Sequence, residues 1–134
     1  MTINEAITLV DEIKPNTYDE NIKIKWLSEL DGRIFNDVIM THEHDLVEDE
    51  EGNMVEPKFT GYDENSENEE LLIPDTYADI YRSWLIAQID FANGEPDRFN
   101  NSIMMYNNSL KEYYDWYNRN NKPIQKPLKV YGRG

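Results

Sequence analysis

The chain has 134 residues, with 27 Asp plus Glu against 13 Lys plus Arg, a formal net charge of −14 at pH 7 and no cysteine. At this length about two-thirds of the unfolded surface can be buried in one core, with no room for two large domains, and without thiols there is neither a disulfide scaffold nor a thiolate zinc site. An acid count twice the basic count argues against a duplex-binding protein, whose phosphate contacts come from Lys and Arg, so the expected partners are proteins.

Taken in chain order, Met1-Thr2-Ile3-Asn4-Glu5 has no basic run and no continuous apolar stretch, so no signal peptide is expected. No segment approaches the ~20 apolar residues of a membrane span. Thr2 is an N-cap with Glu5 three residues on, the spacing of a capping box. Ile3, Ile7, Val10 and Ile13 then recur at helical spacing until Pro15 stops the run. A second helix is predicted over 19–41, with Ile24, Leu27, Leu30, Ile34 and Val38 as its apolar stripe and Trp26, Phe35 and Ile39 beside it. Gly32 weakens that helix by ~1 kcal/mol relative to Ala.

From Glu43 to Pro74 the periodicity disappears, and between Glu43 and Glu70 the charge concentrates. This stretch holds 12 acids against Lys58 alone, a net −11, whereas the other 106 residues carry only −3. Leu46-Val47 and Met54-Val55, separated by Glu51-Gly52-Asn53, have the makings of a small β-hairpin, and Leu71-Leu72-Ile73 of a short extended piece. The remainder, 43–74, is expected to be a solvated acidic arm or loop.

After Pro74 the helical pattern returns. Tyr77, Ile80, Trp84, Ala87 and Phe91 form one seam, Asn93-Gly94 ends it, Glu95-Pro96-Asp97 starts the next helix, and Phe99, Ile103, Tyr106, Leu110, Tyr113 and Tyr117 form a second seam. Two such helices joined by a tight turn are expected to pack as an antiparallel hairpin. Ten of the 16 aromatic residues lie between Tyr77 and Tyr117, which makes this hairpin the expected scaffold. Beyond it Arg119, Lys122, Lys126, Lys129 and Arg133 occur with no acid among them, and Pro123 and Pro127 predict an extended basic tail over 119–134. The expected fold is therefore all-α: a single domain, 1–134, of about four helices, with an acidic insert between the second and third and a basic tail.

Few residues carry recognisable chemistry. His42 and His44 share a face only on extended backbone, and no third histidine completes a metal site, so the expected role of His42-Glu43-His44-Asp45 is a solvated helix end. Glu48-Asp49-Glu50-Glu51-Gly52 resembles a calcium loop, but Val47 falls on the first ligand position when Gly52 is aligned with the loop glycine. No glycine pattern cradles a phosphate, and no serine has a histidine in a visible arrangement. The Tyr and Trp seams have the spacing of core before that of a base-stacking platform. Asn100-Asn101-Ser102 and Asn107-Asn108-Ser109 match glycosylation acceptors, but within a predicted helix they are expected to form a polar face.

Several strings nonetheless resemble a known group. Ile7-Thr8-Leu9-Val10-Asp11 with Lys14-Pro15-Asn16, Lys25-Trp26-Leu27-Ser28-Glu29-Leu30-Asp31-Gly32-Arg33-Ile34, Gly61-Tyr62-Asp63, Glu70-Leu71-Leu72-Ile73-Pro74 with Tyr77, Gln88-Ile89-Asp90-Phe91-Ala92-Asn93-Gly94-Glu95 and Asn100-Asn101-Ser102 are similar to segments of small virion-assembly proteins from prophages and tailed phages of Gram-positive bacteria. Within that group the chain looks like the helical head-tail connector, or adaptor, proteins, over about 6–120. The resemblance implies a structural protein without enzymatic activity, cofactor or metal, made in the host cytoplasm and placed in the virion at the head-tail interface. It would form a ring joining the portal to the tail, with the portal protein, neighbouring connector subunits and a tail-completion protein as partners. DNA would pass through without being specifically bound, and no membrane is involved. The acidic insert is larger than that of a minimal connector.

In a ring each subunit presents two unlike faces, which suits oppositely charged blocks. The candidate interface residues are therefore Glu48, Asp49, Glu50, Glu51, Asp63 and Glu64 on the arm, and Arg119, Lys122, Lys126, Lys129 and Arg133 in the tail. The alternative is an acidic DNA mimic or host-protein-binding phage factor, which needs acids spaced along a rigid surface. A metal-dependent hydrolase centred on His42 and His44 ranks third.

Overall fold

The structure, a computed structural model, describes residues 1–124. Four helices carry the core: α1 (Ile3–Ile13), α2 (Glu20–Ile34), α3 (Asp79–Ala92) and α4 (Pro96–Asn120). A small antiparallel ribbon, β1 (Val47–Glu48) with β2 (Met54–Val55), lies in the connection between α2 and α3.

α1 begins as its sequence dictates. The Glu5 N–H donates to Thr2 Oγ1 at 3.1 Å, and the Thr2 hydroxyl lies 3.2 Å from the Glu5 carboxylate. Two further orphan donors of this helix end, the Ile3 and Asn4 N–H groups, are taken by the carbonyls of Glu69 and Glu67 at 3.0 and 2.8 Å. The insert thus caps the first helix with its backbone. Ile3, Ala6, Ile7 and Val10 are buried, but Ile13, expected on the same face, is exposed. It is the last helical residue, where the chain turns out toward Pro15 beyond the cover of its neighbours.

In α2 the predicted stripe of Ile24, Leu27, Leu30 and Ile34 is buried, and Val38 continues it. The α-helix does not run to Thr41, however. It passes at Phe35 into a π-helical turn, Phe35–Ile39, closed by the Met40 N–H on the Phe35 carbonyl at 3.0 Å. The Thr41 hydroxyl then bonds the carbonyls of Asp37 and Val38 at 2.7 and 3.1 Å, occupying acceptors that a continuing helix would need.

α3 and α4 pack along one another across the Asn93–Glu95 turn, where Gly94 adopts φ +71°. The ring pairs Tyr77–Tyr113, Trp84–Tyr106 and Phe91–Phe99 match rising numbers from the turn just before α3 to its end with falling numbers on α4, so the two helices run in opposite directions. Trp84 also ties this pair to α2, because its indole N–H donates to the Trp26 carbonyl at 2.8 Å. Phe91 departs from the expected seam: it is 70% exposed, one turn past Ala87, where α3 ends, with its ring against Phe99.

The basic tail starts later than its composition implies. Arg119 lies in the last turn of α4, which continues to Asn120, and only from Asn121 is the backbone extended. The segment that follows pairs antiparallel with the chain after α2: the Glu43 N–H donates to the Lys122 carbonyl at 2.7 Å and the Ile124 N–H to the Thr41 carbonyl at 2.8 Å. Lys126, Lys129 and Arg133 lie outside the described residues.

Candidate functional site

The acidic insert contains apolar islands, Phe59, Tyr62, Leu71 and Ile73, and these decide its path. Leu71 and Ile73 are buried in the helical core. Phe59 lies against Phe35 and Tyr62, with ring centroids 5.9 and 5.2 Å apart, over the bare backbone of Gly32. Gly61 crosses α2 so closely that a Cβ on it would stand 3.1 Å from Ser28 Oγ, and its φ of +85° suits glycine alone. The next residue seals the crossing, as the Tyr62 N–H donates to Ser28 Oγ at 3.0 Å.

Asp31 gathers this crossing into a buried polar knot. Its side chain is fully buried on α2, one position from Leu30 in the stripe. Oδ1 accepts the Tyr81 hydroxyl of α3 at 2.6 Å, while Oδ2 accepts the Leu72 N–H at 3.0 Å and the Tyr62 hydroxyl. The Tyr81 oxygen in turn accepts the Ile73 N–H at 2.8 Å. Burial pushes the Asp31 carboxyl above the ordinary aspartate range, against the downward pull of Tyr62, Tyr81 and Leu72, and burial beside Asp31 pushes both tyrosines up. Each donor is matched to a carboxylate oxygen, so the knot fastens residues 62–73 to α2 and α3 and offers no free group for acid–base chemistry.

The expected solvated arm therefore divides in two. Residues 57–74 lie on the helical body, and only the ribbon around β1 and β2 projects from it. Val47 pairs with Val55 and Glu48 with Met54. The turn between the strands is held by Asp49, whose Oδ1 accepts the N–H groups of Glu51 and Asn53 at 3.0 and 2.8 Å, with Gly52 at φ +83°. Asp63 does the same work further on, accepting the Asn65 N–H at 2.8 Å and lying 3.3 Å from the Ser66 hydroxyl. Two of the candidate interface acids, Asp49 and Asp63, thus have their carboxylates engaged in turns. Glu48, Glu50, Glu51 and Glu64 are exposed.

The two histidines stand at the root of the ribbon and point to different partners. His42 is buried, with Nδ1 2.6 Å from the Val38 carbonyl, Nε2 2.6 Å from the Asn118 side chain and its ring edge-on to Tyr117. His44 has Nδ1 2.7 Å from the His42 carbonyl and Nε2 2.6 Å from Glu56, just past β2. The Glu56 carboxylate holds the His44 pKa above the usual histidine value. Instead of a helix end open to solvent, His42 bolts α4 to the end of α2, and His44 closes the base of the ribbon. Among the described residues no group of three or more His, Cys, Asp or Glu is arranged to hold a metal ion.

Lys23, whose ammonium meets Asp11 at 2.6 Å, is buried on α2, and so is Asp90 on α3. Asp90 takes Lys14 from the end of α1 on one oxygen and the Ser102 hydroxyl of α4 on the other, at 2.6 Å in the latter case, while Glu95 also meets Lys14 at 3.1 Å. Sequence reasoning missed both Asp31 and Asp90. A signal for each was present: an acid next to, or within, an otherwise apolar helical stripe needs donors to be buried at all.

Of the tail residues, Arg119 and Lys122 are exposed and lie within a few residues of the junction at Thr41–Glu43. The root of the most acidic segment and the start of the basic one therefore meet at one place. No described helix is long and apolar enough to cross a membrane. Fold and site together define a mainly helical domain with an ordered acidic ribbon, its root bridged by the chain's own C-terminal segment. Compared with protein-family models, with curated proteins and with solved structures, the chain matches none.

Proposed function

We propose that the protein is a structural component of a phage virion, a head-tail connector or adaptor that forms a ring between portal and tail and has no catalytic role. The observation that carries this is the exposure of two oppositely charged groups of side chains: Glu48, Glu50, Glu51 and Glu64 on the insert, and Arg119 and Lys122 where the basic segment begins. Complementary charges of this kind suit the heterologous contacts of a closed ring, and the likeness of the sequence strings to connector proteins supports the same assignment. Its partners are then the portal, neighbouring subunits and a tail-completion protein, its place is the virion, and the acids repel DNA that passes without being bound. Buried polar groups that are already paired, as at Asp31, Asp90 and His42, favour a scaffold over an enzyme.

The test is co-sedimentation with a purified portal protein at low and high salt. Salt-sensitive binding of many copies per portal supports the assignment, and failure to bind at any salt contradicts it. One observation favours the alternative, a DNA mimic or host-protein-binding factor: the part of the insert over 57–74 is fastened to the helical body, so the acids it carries stand on a fixed surface as a mimic requires. Competition with duplex DNA for a DNA-binding host protein separates the two, since a connector does not compete.

A further inference from the structure

We infer that the outward face of α4, around Met104 and Met105, is a two-fold contact between copies of this chain, in which α4 packs antiparallel against the α4 of a second copy. Such a contact joins like faces whereas a ring joins unlike ones, so it goes beyond the ring assignment and does not rest on it. Residues 99–110 contain no Asp, Glu, Lys or Arg, the longest uncharged stretch in a chain of net charge −14. Burial does not account for it. Tyr106 is buried and Ile103 and Leu110 pack against the core, but Asn100, Asn101, Met104, Met105, Asn107 and Asn108 are all exposed, the two methionines at 61 and 56%. The next longest uncharged run, 83–89 on α3, is by contrast mostly buried. Two copies of so acidic a chain repel one another, and on this face of α4 they can approach without setting acid against acid. Methionine side chains also adapt readily to the shape of a partner.

Helical periodicity arranges the face in three strips. Residues seven apart lie nearly in line along a helix. Asp97, Met104 and Lys111 therefore form one strip, Arg98, Met105 and Glu112 a second, and Asn101 and Asn108 lie between them. When two such faces pack antiparallel about an axis at Met104 and Met105, each outer strip meets its own copy reversed. Asp97 then faces the partner's Lys111 and Arg98 faces the partner's Glu112, each pair occurring twice, while the methionines meet at the axis. Asn101 faces the partner's Asn108, where each amide can both donate and accept, which fixes the register. A parallel pair would set each of these charges against its own kind. Charge complementarity thus selects a second copy as the occupant and the antiparallel direction for it.

Within one chain the same charges are only loosely engaged. Arg98 lies 3.8 Å from Glu95 and Lys111 3.7 Å from Asp115, with both cations exposed, and surface pairs of that kind contribute little. The contact over 97–112 runs for about 24 Å of helix. That is at the small end of specific interfaces, so the dimer is weak and forms by mass action.

The experiment measures the mass of the full chain by sedimentation equilibrium from about 1 μM to about 1 mM. Two variants accompany it: Arg98→Glu, which brings like charges together twice in each dimer, and Arg98→Glu combined with Glu112→Arg, which restores both pairs in reverse. Both positions are exposed, and helical circular dichroism checks that each variant is folded. The expected result is a dimer for the wild type, a dissociation constant raised about tenfold or more in Arg98→Glu, and recovery in the combined variant. Orientation is read with a short thiol cross-linker, since the chain has no cysteine of its own. Met105→Cys should cross-link into dimers, whereas Asp115→Cys, about 30 Å from its counterpart in the antiparallel pair, should not. A wild type that stays monomeric to the highest concentration overturns the inference. So does a dimer indifferent to Arg98→Glu, or one that cross-links as well through Asp115→Cys as through Met105→Cys. The portal is absent from these measurements, so none of their outcomes bears on the connector assignment.

Discussion

Replacing Asp31 by Asn tests whether the acidic insert is fastened by its contacts with the helical body. The substitution keeps the shape and one acceptor oxygen but places an NH2 group where the carboxylate accepted from either the Leu72 N–H and Tyr62, or Tyr81. Tyrosine hydroxyls can rotate, but the Leu72 N–H cannot, and turning the amide over moves the conflict to Tyr81, whose oxygen already accepts from Ile73. One buried donor is left without a partner in either orientation, at a cost of about 2 kcal/mol. For a domain of this length that lowers Tm by about 8 °C. The pH dependence has a definite sign. Because burial raises the folded-state pKa of Asp31 above its ordinary value of 3.8, its contribution to stability is complete below 3.8 and is lost as pH rises through the folded value. Asn does not titrate in this range, so the wild-type advantage widens on acidification and narrows toward neutral pH. Thermal melts at several pH values measure this, and hydrogen exchange locates it: the Leu72 and Ile73 amides lose protection while those of mid-α4 keep it. A variant as stable as wild type, with Leu72 still protected, would refute the role given to the knot.

Four further substitutions probe the rest of the fold. Gly61→Ala forces a Cβ into a φ of +85° and to 3.1 Å from Ser28 Oγ, and should cost about 1–2 kcal/mol in a denaturant titration; a neutral result means the insert does not cross α2 so closely. Trp84→Ala should cost about 3–5 kcal/mol, whereas Phe91→Ala, at a position 70% exposed, should cost less than about 1 kcal/mol. Equal losses in chemical denaturation would restore Phe91 to the core. The His44 imidazole should titrate above 6.5 by NMR, and Glu56→Gln should bring it down. Since a raised histidine pKa stabilises the fold below the unfolded value and ceases to do so as pH passes the folded one, the ribbon base loosens on the alkaline side of that midpoint, read as faster exchange at Val47 and Val55.

How far the sequence disclosed this structure depends on the range of the interactions involved. The Thr2–Glu5 cap, the α2 stripe and the seams through Trp84 and Tyr113 follow from spacings of three and four residues, and a helix shows these in its own sequence. The partners of Asp31 lie 31, 41 and 50 residues away, and those of Asp90 include Lys14, 76 residues away. No periodicity encodes contacts at such distances. Acid content made 43–74 look like a solvated arm, yet Phe59, Tyr62, Leu71 and Ile73 each bring enough apolar surface to hold their part of it to the body. Only the ribbon, with Leu46, Val47 and Met54 exposed, keeps the projecting character expected of the whole. Thr41 and Phe91 show a different limit, because a stripe predicts which face is buried but not where the neighbouring element stops. Arg119 illustrates it at the other end: two prolines predict an extended tail, but neither precedes Lys122, and the helix continues to Asn120.

The proposed function is a ring built on a phage portal. Imaging the full chain by negative stain, alone and mixed with a purified portal, measures it directly. The account predicts closed rings, which heterologous contacts form when their rotation closes, that come apart at high salt. Single particles the size of one protomer in both samples, at low salt and high concentration, would contradict it.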